Sequence, residues 1–172
     1  MATIAEVTGK IARKYMAHYI DSSFGGSSVS WERLGKDLEE FSVELNPDTE
    51  TSKNILGEST FKMNGYEESA SVEPYYADVT SGLFTKLQDI IDNRKYGDAC
   101  KTKMLDVHLW ETTSGSSTEF VAYQQDCYVV INSYGGDTSG YQIPFTVYPV
   151  GTRTKGKVTI GVGGTVTFTA DE

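Results

Sequence analysis

The 172-residue sequence predicts a mainly β fold, an antiparallel β-sandwich or barrel carrying one amphipathic α-helix at about residues 81–96. Three observations carry that reading. Several runs alternate apolar and polar residues with a period of two, the pattern of pleated strands that are wet on one face. Val, Thr, Tyr and Phe are plentiful and 17 Gly punctuate the chain, which favours strands and turns. A single long segment instead carries its apolar residues at helical spacing. With 38% hydrophobic residues, the length suits one domain over residues 1–172 with a single core.

The elements follow in order. Residues 1–14 are mixed, with Ile4, Val7 and Ile11 at near-helical spacing, and read as a short helix or an arm that orders on assembly. KYMAHYID reads as a first strand, the Gly25-Gly26 pair as a turn, and Trp31 to Leu34 as a second strand bent at Gly35. DLEEFSVELN gives the cleanest alternation, with Phe41, Val43 and Leu45 on one face and Glu40, Ser42 and Glu44 on the other. Pro47 then breaks the strand, and residues 46–57 read as a long polar loop. STFKMNG places Phe61 and Met63 inward, and the next run sets Ala70 and Val72 opposite Ser69, Ser71 and Glu73. Those neighbouring runs imply an antiparallel sheet that is wet on one side.

Thr80 or Ser81 caps the helix, whose stripe is Leu83, Phe84, Leu87, Ile90 and Ile91. Gly97 suits its C-terminal cap, with Arg94 and Lys95 in the last turn against the macrodipole. Five strand runs follow: KTKMLDVHLWE, EFVAYQQDCYVVINSY, YQIPFTVYPV, and a terminal pair KVTIGV and TVTFTA joined around Gly163-Gly164. Gly135 to Gly140 resembles a phosphate loop only superficially. It lacks the P-loop lysine and leads into a strand, so a hairpin turn is the reading.

Charge narrows the function classes. The net charge is −9, and residues 37–78 hold eleven acids against Lys53 and Lys62, which accounts for all of it. One face or edge is therefore expected to be acidic, and phosphate-gripping contact with nucleic acid is disfavoured. Cys100 and Cys127 share no metal spacing and read as reduced, partly buried thiols. His18 and His108 stand far apart in sequence and outside any ligand motif, so neither a metal nor another cofactor is expected. Adjacent pairs such as Glu39/Glu40 and Glu67/Glu68 point to opposite faces of a strand and cannot act together. No nucleophile motif appears, so no enzymatic activity is expected. No apolar run reaches the ~20 residues of a membrane-spanning helix. The first residues lack a signal-peptide core, so synthesis and folding are expected in the cytoplasm.

The order of four stretches carries a resemblance: LGKDLEEFSVELNPDTETSKNILGESTFKMNGYE, then VEPYYADV, then LFTKLQDIIDNRKYGD, then SYGGDTSGYQIPFTVYPVGTRTKGKV. From Lys10 to Val158 the chain resembles the tail tube (major tail) proteins of bacteriophages infecting Gram-positive bacteria, a family that includes tubes of phage-tail-like contractile injection particles. The resemblance implies a sandwich or barrel flanked by a helix, six-membered rings stacked into a hollow tube, and an inner sheet joined between neighbours around the lumen. It implies an early loop reaching the adjacent ring. The implied partners are further copies of the chain, with sheath, baseplate or initiator, tape-measure and tail-terminator proteins where the particle has them, while DNA passes without specific binding. The implied location is a virion tail or an extracellular injection particle assembled in the bacterial host.

Combined with the residue patterns, this assigns Glu40, Ser42, Glu44, Ser69, Ser71 and Glu73 to the lumen wall. It assigns Asn46, Pro47, Asp48, Glu50 and Lys53 to a ring-stacking loop. Two other readings stand beside it. Tyr75, Tyr76, Tyr123, Tyr134, Tyr141 and Tyr148 suit the surface of a monomeric glycan-binding sandwich, and paired carboxylates suit a hydrolase.

Overall fold

The computed structural model describes residues 8–113, 116 and 118–171. In chain order the strands are β1 (Met16–Asp21), β2 (Trp31–Leu34), β3 (Val43–Glu44), β4 (Pro47–Lys53), β5 (Ser59–Tyr66) and β6 (Ser69–Val72). Helix α1 (Gly82–Asn93) follows, then β7 (Lys101–Thr112), β8 (Glu119–Ile131), β9 (Gly135–Asp137), β10 (Gly140–Gln142), β11 (Phe145–Ile160) and β12 (Val166–Ala170). The fold is mainly β with one helix, as the alternation predicts. All strand pairings among the described residues are antiparallel.

The main sheet runs β2-β1-β7-β8-β11-β6-β3, with β12 added beside β11. The expected single core is two. On one face, Ile20, Met104, Val129, Phe145 and Val147 pack under Leu83, Leu87 and Ile91 of α1. On the other face, Tyr19, Leu105, Val107, Phe120 and Val158 form a second cluster. Trp31 of β2 and Phe168 of β12, from opposite ends of the strand path, both border that second cluster, so the sheet curls around it. Strand β1 is buried on both faces because it walls both cores. Sixteen-residue β11 also serves both: Phe145–Val147 pair with β6, the register breaks between Val150 and Thr154, and Gly156–Ile160 pair with β12. Gly156 is required there, since a Cβ would lie 2.3 Å from the Thr169 carbonyl and 2.7 Å from the Phe168 ring. The runs YQIPFTVYPV and KVTIGV are thus not two strands. Pro144 ends the first early, and the bulge joins the remainder to the second.

Helix α1 starts where expected. The Ser81 hydroxyl accepts from Phe84 N at 3.1 Å, and Glu32 of β2 accepts from Leu83 N at 2.7 Å and from the Ser81 hydroxyl at 2.7 Å. A carboxylate at the positive end of the helix suits the dipole. Its end is earlier than Gly97: Arg94 takes the left-handed conformation (φ 47°) and its guanidinium donates to the Ile91 carbonyl at 2.9 Å. That side-chain bond does the work expected of a glycine.

The segment before β3 departs most from the sequence reading. Only Val43–Glu44 of DLEEFSVELN is a strand, and Leu45 is exposed. Phe41 is buried, but Arg13 donates to its carbonyl at 2.8 Å, so that carbonyl is bound by a side chain rather than by a neighbouring strand. Asp37 (φ 63°) and Asn46 (φ 43°) turn the chain at either end of the run. The long polar loop expected at 46–57 is a strand and a turn. Gly135 to Gly140 is the hairpin expected, β9 paired with β10, and a Cβ on Gly136 would meet the Gly140 carbonyl at 2.0 Å.

Candidate functional site

Strands β4 and β5 pair only with each other, from Pro47 opposite Tyr66 to Lys53 opposite Ser59. Every residue in them is exposed except Gly65, so the hairpin stands clear of the body. Seven residues of β4 give it a reach of about 24 Å. PDTETSK is polar on both faces because water covers both, and this removes the alternation that would reveal a strand. Pro47 is tolerated as the first residue of an edge strand, where no ladder donor is needed.

The hairpin is rigid at both ends. At its root the Asn46 amide donates to the Glu67 carbonyl and to the Ser69 hydroxyl, each at 3.0 Å, while Glu67 N donates back to the Asn46 carbonyl at 3.1 Å. At its tip the Asn54 carboxamide oxygen accepts from Leu56 N and Glu58 N, both at 3.0 Å. The apolar side chains on this rigid arm have no cover. Ile55 is fully exposed, Leu56 is 78% exposed, Phe61 68% and Met63 45%. Phe61 and Met63 were expected inward. They share one face of the hairpin with Thr51 and Thr49, which stand opposite them in the ladder. Of the ring-stacking set, Asn46 is the root clamp, and Pro47, Asp48, Glu50 and Lys53 lie along β4.

The lumen set divides. Glu44 stands opposite Ser69, and Ser71 opposite Thr146, so Glu44, Ser69 and Ser71 share a face with Thr146, Tyr148, Val130 and Tyr128. That face is open and half wet. Glu40 and Ser42 are exposed but precede β3, and Glu73 follows β6, so these three lie off the strands. The face is not strongly acidic: along it Glu44 and Asp126 meet Lys101 and Lys103, and Lys101 pairs with Asp126 at 2.9 Å. The acids of residues 37–78 belong instead to the strap before β3, to the hairpin and to the chain around β6.

A polar cluster around buried His18 escaped the sequence reading. His18 Nδ1 lies 2.7 Å from Asp106 Oδ1, Arg153 pairs with the other oxygen of Asp106, and Arg153 also sits over the Tyr123 ring at 4.7 Å. Phe41 packs on the His18 ring at 4.8 Å. Ser42 lines the neighbouring 350 Å³ cavity, yet no hydrogen bond joins it to His18 among the described residues, so the trio does not assemble as a nucleophile with its base. Phe41, from the segment before β3, rests on this cluster, and Arg13 binds the Phe41 carbonyl beside it. The only available signal was a histidine inside a run with apolar residues on both faces.

Both thiols are free and buried, and burial pushes Cys127 up to about 12. No group of His, Cys, Asp and Glu among the described residues is arranged to hold a metal ion. No helix among them is long and apolar enough to cross a membrane.

No protein-family model matches the chain, and no curated protein matches it. The functional reading therefore rests on the geometry and on the resemblance in residues.

Of the six candidate glycan-facing tyrosines, three have bonded hydroxyls: Tyr75 with Ser81 at 3.2 Å, Tyr141 donating to Gln88 at 2.9 Å, and Tyr134 accepting from Arg94 at 3.1 Å. Hydroxyls tied to the body leave less for a sugar. Of the expected 1–14 arm, residues 1–7 lie outside the described residues. Residues 8–14 are exposed, and Arg13 fastens the segment through the Met16 and Phe41 carbonyls at 2.6 and 2.8 Å.

Proposed function

We propose that this chain is a structural protein that assembles with copies of itself into six-membered rings stacked as a hollow tube. The tube is the conduit of a phage tail or tail-like injection particle, and it works without catalysis or cofactor. The projecting hairpin carries the reading. A rigid arm about 24 Å long with uncovered Ile55, Leu56, Phe61 and Met63 suits a subunit whose arm is buried by a neighbour. Strands β2, β3 and β12 end the sheet, and ring closure removes such edges.

In this reading the face of Glu44, Ser69, Ser71, Thr146 and Tyr148 lines the bore, and its mixed, near-neutral charge gives a passing phosphate chain nothing to grip. The hairpin, with Asn46 as its root, makes the contact between rings. Partners other than the chain itself are a sheath, an initiator, a tape-measure protein and a terminator. The location is the particle's tail. The glycan-binding alternative has less support because the hydroxyls of Tyr75, Tyr134 and Tyr141, three of its six tyrosines, are already bonded within the body.

The test is negative-stain electron microscopy of the purified protein across a concentration series, with tube fragments added as seeds. Hollow tubes or six-fold rings support the proposal. A monomer that ignores seeds at every concentration rejects it, and a glycan array then tests the alternative.

A further inference from the structure

At the C-terminal end of α1 the surface opens into a cavity of about 430 Å³. Ile90, Ile91, Val129 and Ile131 form its apolar wall, and Tyr96 and Tyr134 stand at its rim. The cavity exists because β7 starts late. Lys101 pairs with Tyr128, so residues 129–131 of β8 have β11 on one side and no strand on the other among the described residues. An open stretch of sheet edge beside an apolar hollow is a receptor surface for a chain segment.

We propose that this cavity receives the tip of the β4–β5 hairpin of a second copy, Ile55 and Leu56 entering the apolar wall. The proposal rests on the tube reading and names the acceptor surface that reading leaves open. Three observations select this occupant. The tip presents two adjacent aliphatic side chains that their own chain leaves largely uncovered, and Asn54 fixes their turn beforehand, so less conformational entropy remains to be lost on docking. The rim carries Arg94, which makes hydrogen bonds to Ile91 and Tyr134 but pairs with no carboxylate among the described residues. Beside the tip, Glu58 has only Asn54 as a side-chain partner, so its carboxylate can meet that guanidinium. The arm also projects far enough from its root to reach another molecule.

The acceptor is tested by disulfide trapping between full-length chains, one carrying Leu56→Cys and the other Ser133→Cys at the exposed rim of the cavity. Mild oxidation and peptide mapping then read which sulfurs join. The bond from position 56 to position 133 is expected to form about tenfold faster than a bond from 56 to a control Thr169→Cys on β12. Adding Glu58→Lys to the donor chain is expected to slow it about tenfold. A bond from position 56 to native Cys100, which lies in the cavity wall, counts equally in favour.

If 56–133 forms no faster than 56–169, the acceptor is wrong whether or not tubes form. Bonding of position 133 mainly to itself overturns it too, because two copies then meet cavity to cavity. Tubes without the 56–133 bond leave the tube reading standing and reject only this acceptor. The bond without tubes or rings keeps the acceptor and rejects the tube.

Discussion

The β4–β5 hairpin and the β7–β8 pair are built from the same antiparallel ladder and have opposite surroundings. β7 and β8 are walled by a core on each face, whereas β4 and β5 meet water on nearly all sides. The body buries most of its apolar side chains in two cores, with exposed ones such as Val79 and Val162 standing singly. The hairpin holds Ile55, Leu56, Phe61 and Met63 where its own chain cannot bury them. A domain spends its apolar residues on its own stability unless something outside covers them. The comparison therefore separates residues that hold the body together from residues that, in the proposed assembly, would join copies.

Substitutions test that division, beginning with the largest expected effect on folding. Phe145→Ala empties a fully buried site under α1 and is expected to lower unfolding stability by about 4 kcal/mol in urea titration, with assembly lost as a consequence. Asp106→Ala strands the buried His18 and frees Arg153. A loss of about 2 kcal/mol is expected, mostly from the His18 side because Arg153 is partly exposed. Ser81→Ala removes the N-cap of α1 and should lower stability by about 1 kcal/mol.

A smaller effect is read from pH. Hydrogen bonds from the Thr80 hydroxyl and backbone N–H, then from Lys36, hold the Asp78 carboxyl at about 2 instead of 3.8. Its folded-state value is depressed, so its contribution is complete above the unfolded value of 3.8 and is lost as pH falls towards about 2. Asp78→Asn should flatten that part of the acid-unfolding curve. A slope equal to that of the unmodified chain would show that neither the Thr80 bonds nor the Lys36 contact holds the carboxyl down in solution.

The smallest stability effect belongs to the hairpin. Ile55→Glu with Leu56→Glu should leave unfolding within about 0.5 kcal/mol of the unmodified chain. The same double substitution is expected to abolish tubes in electron micrographs. If it instead unfolds the monomer, the hairpin belongs to the body and the division fails.

The sequence is legible where an apolar run packs on a core. MAHYID, WERL, the Ala70/Val72 pair, the α1 stripe and the terminal hairpin all fall where the patterns place them. It misleads where burial and secondary structure separate. STFKMNG has the alternation of a half-buried strand and is exposed on both faces, while PDTETSK has no alternation and is a strand all the same. In DLEEFSVELN the alternation is real, but only Val43–Glu44 finds a strand partner, and the Phe41 carbonyl goes to Arg13 instead. The site was legible in part: Glu44, Ser69 and Ser71 do share a wet face, and residues 46–57 do project. The clamp at Asn46, the His18–Asp106–Arg153 cluster and the cavity beside α1 depend on long-range neighbours, which local patterns do not report.

Strand β1, buried on both faces, imposes an order on the birth of the molecule. Its partners in β7 are synthesised long after it leaves the ribosome, so neither core can close around it until residues 104–108 have emerged. The hairpin needs only its own turn. In a growing chain the last ladder residue of the hairpin, Tyr66, emerges well before β7, so the body is the part that must wait.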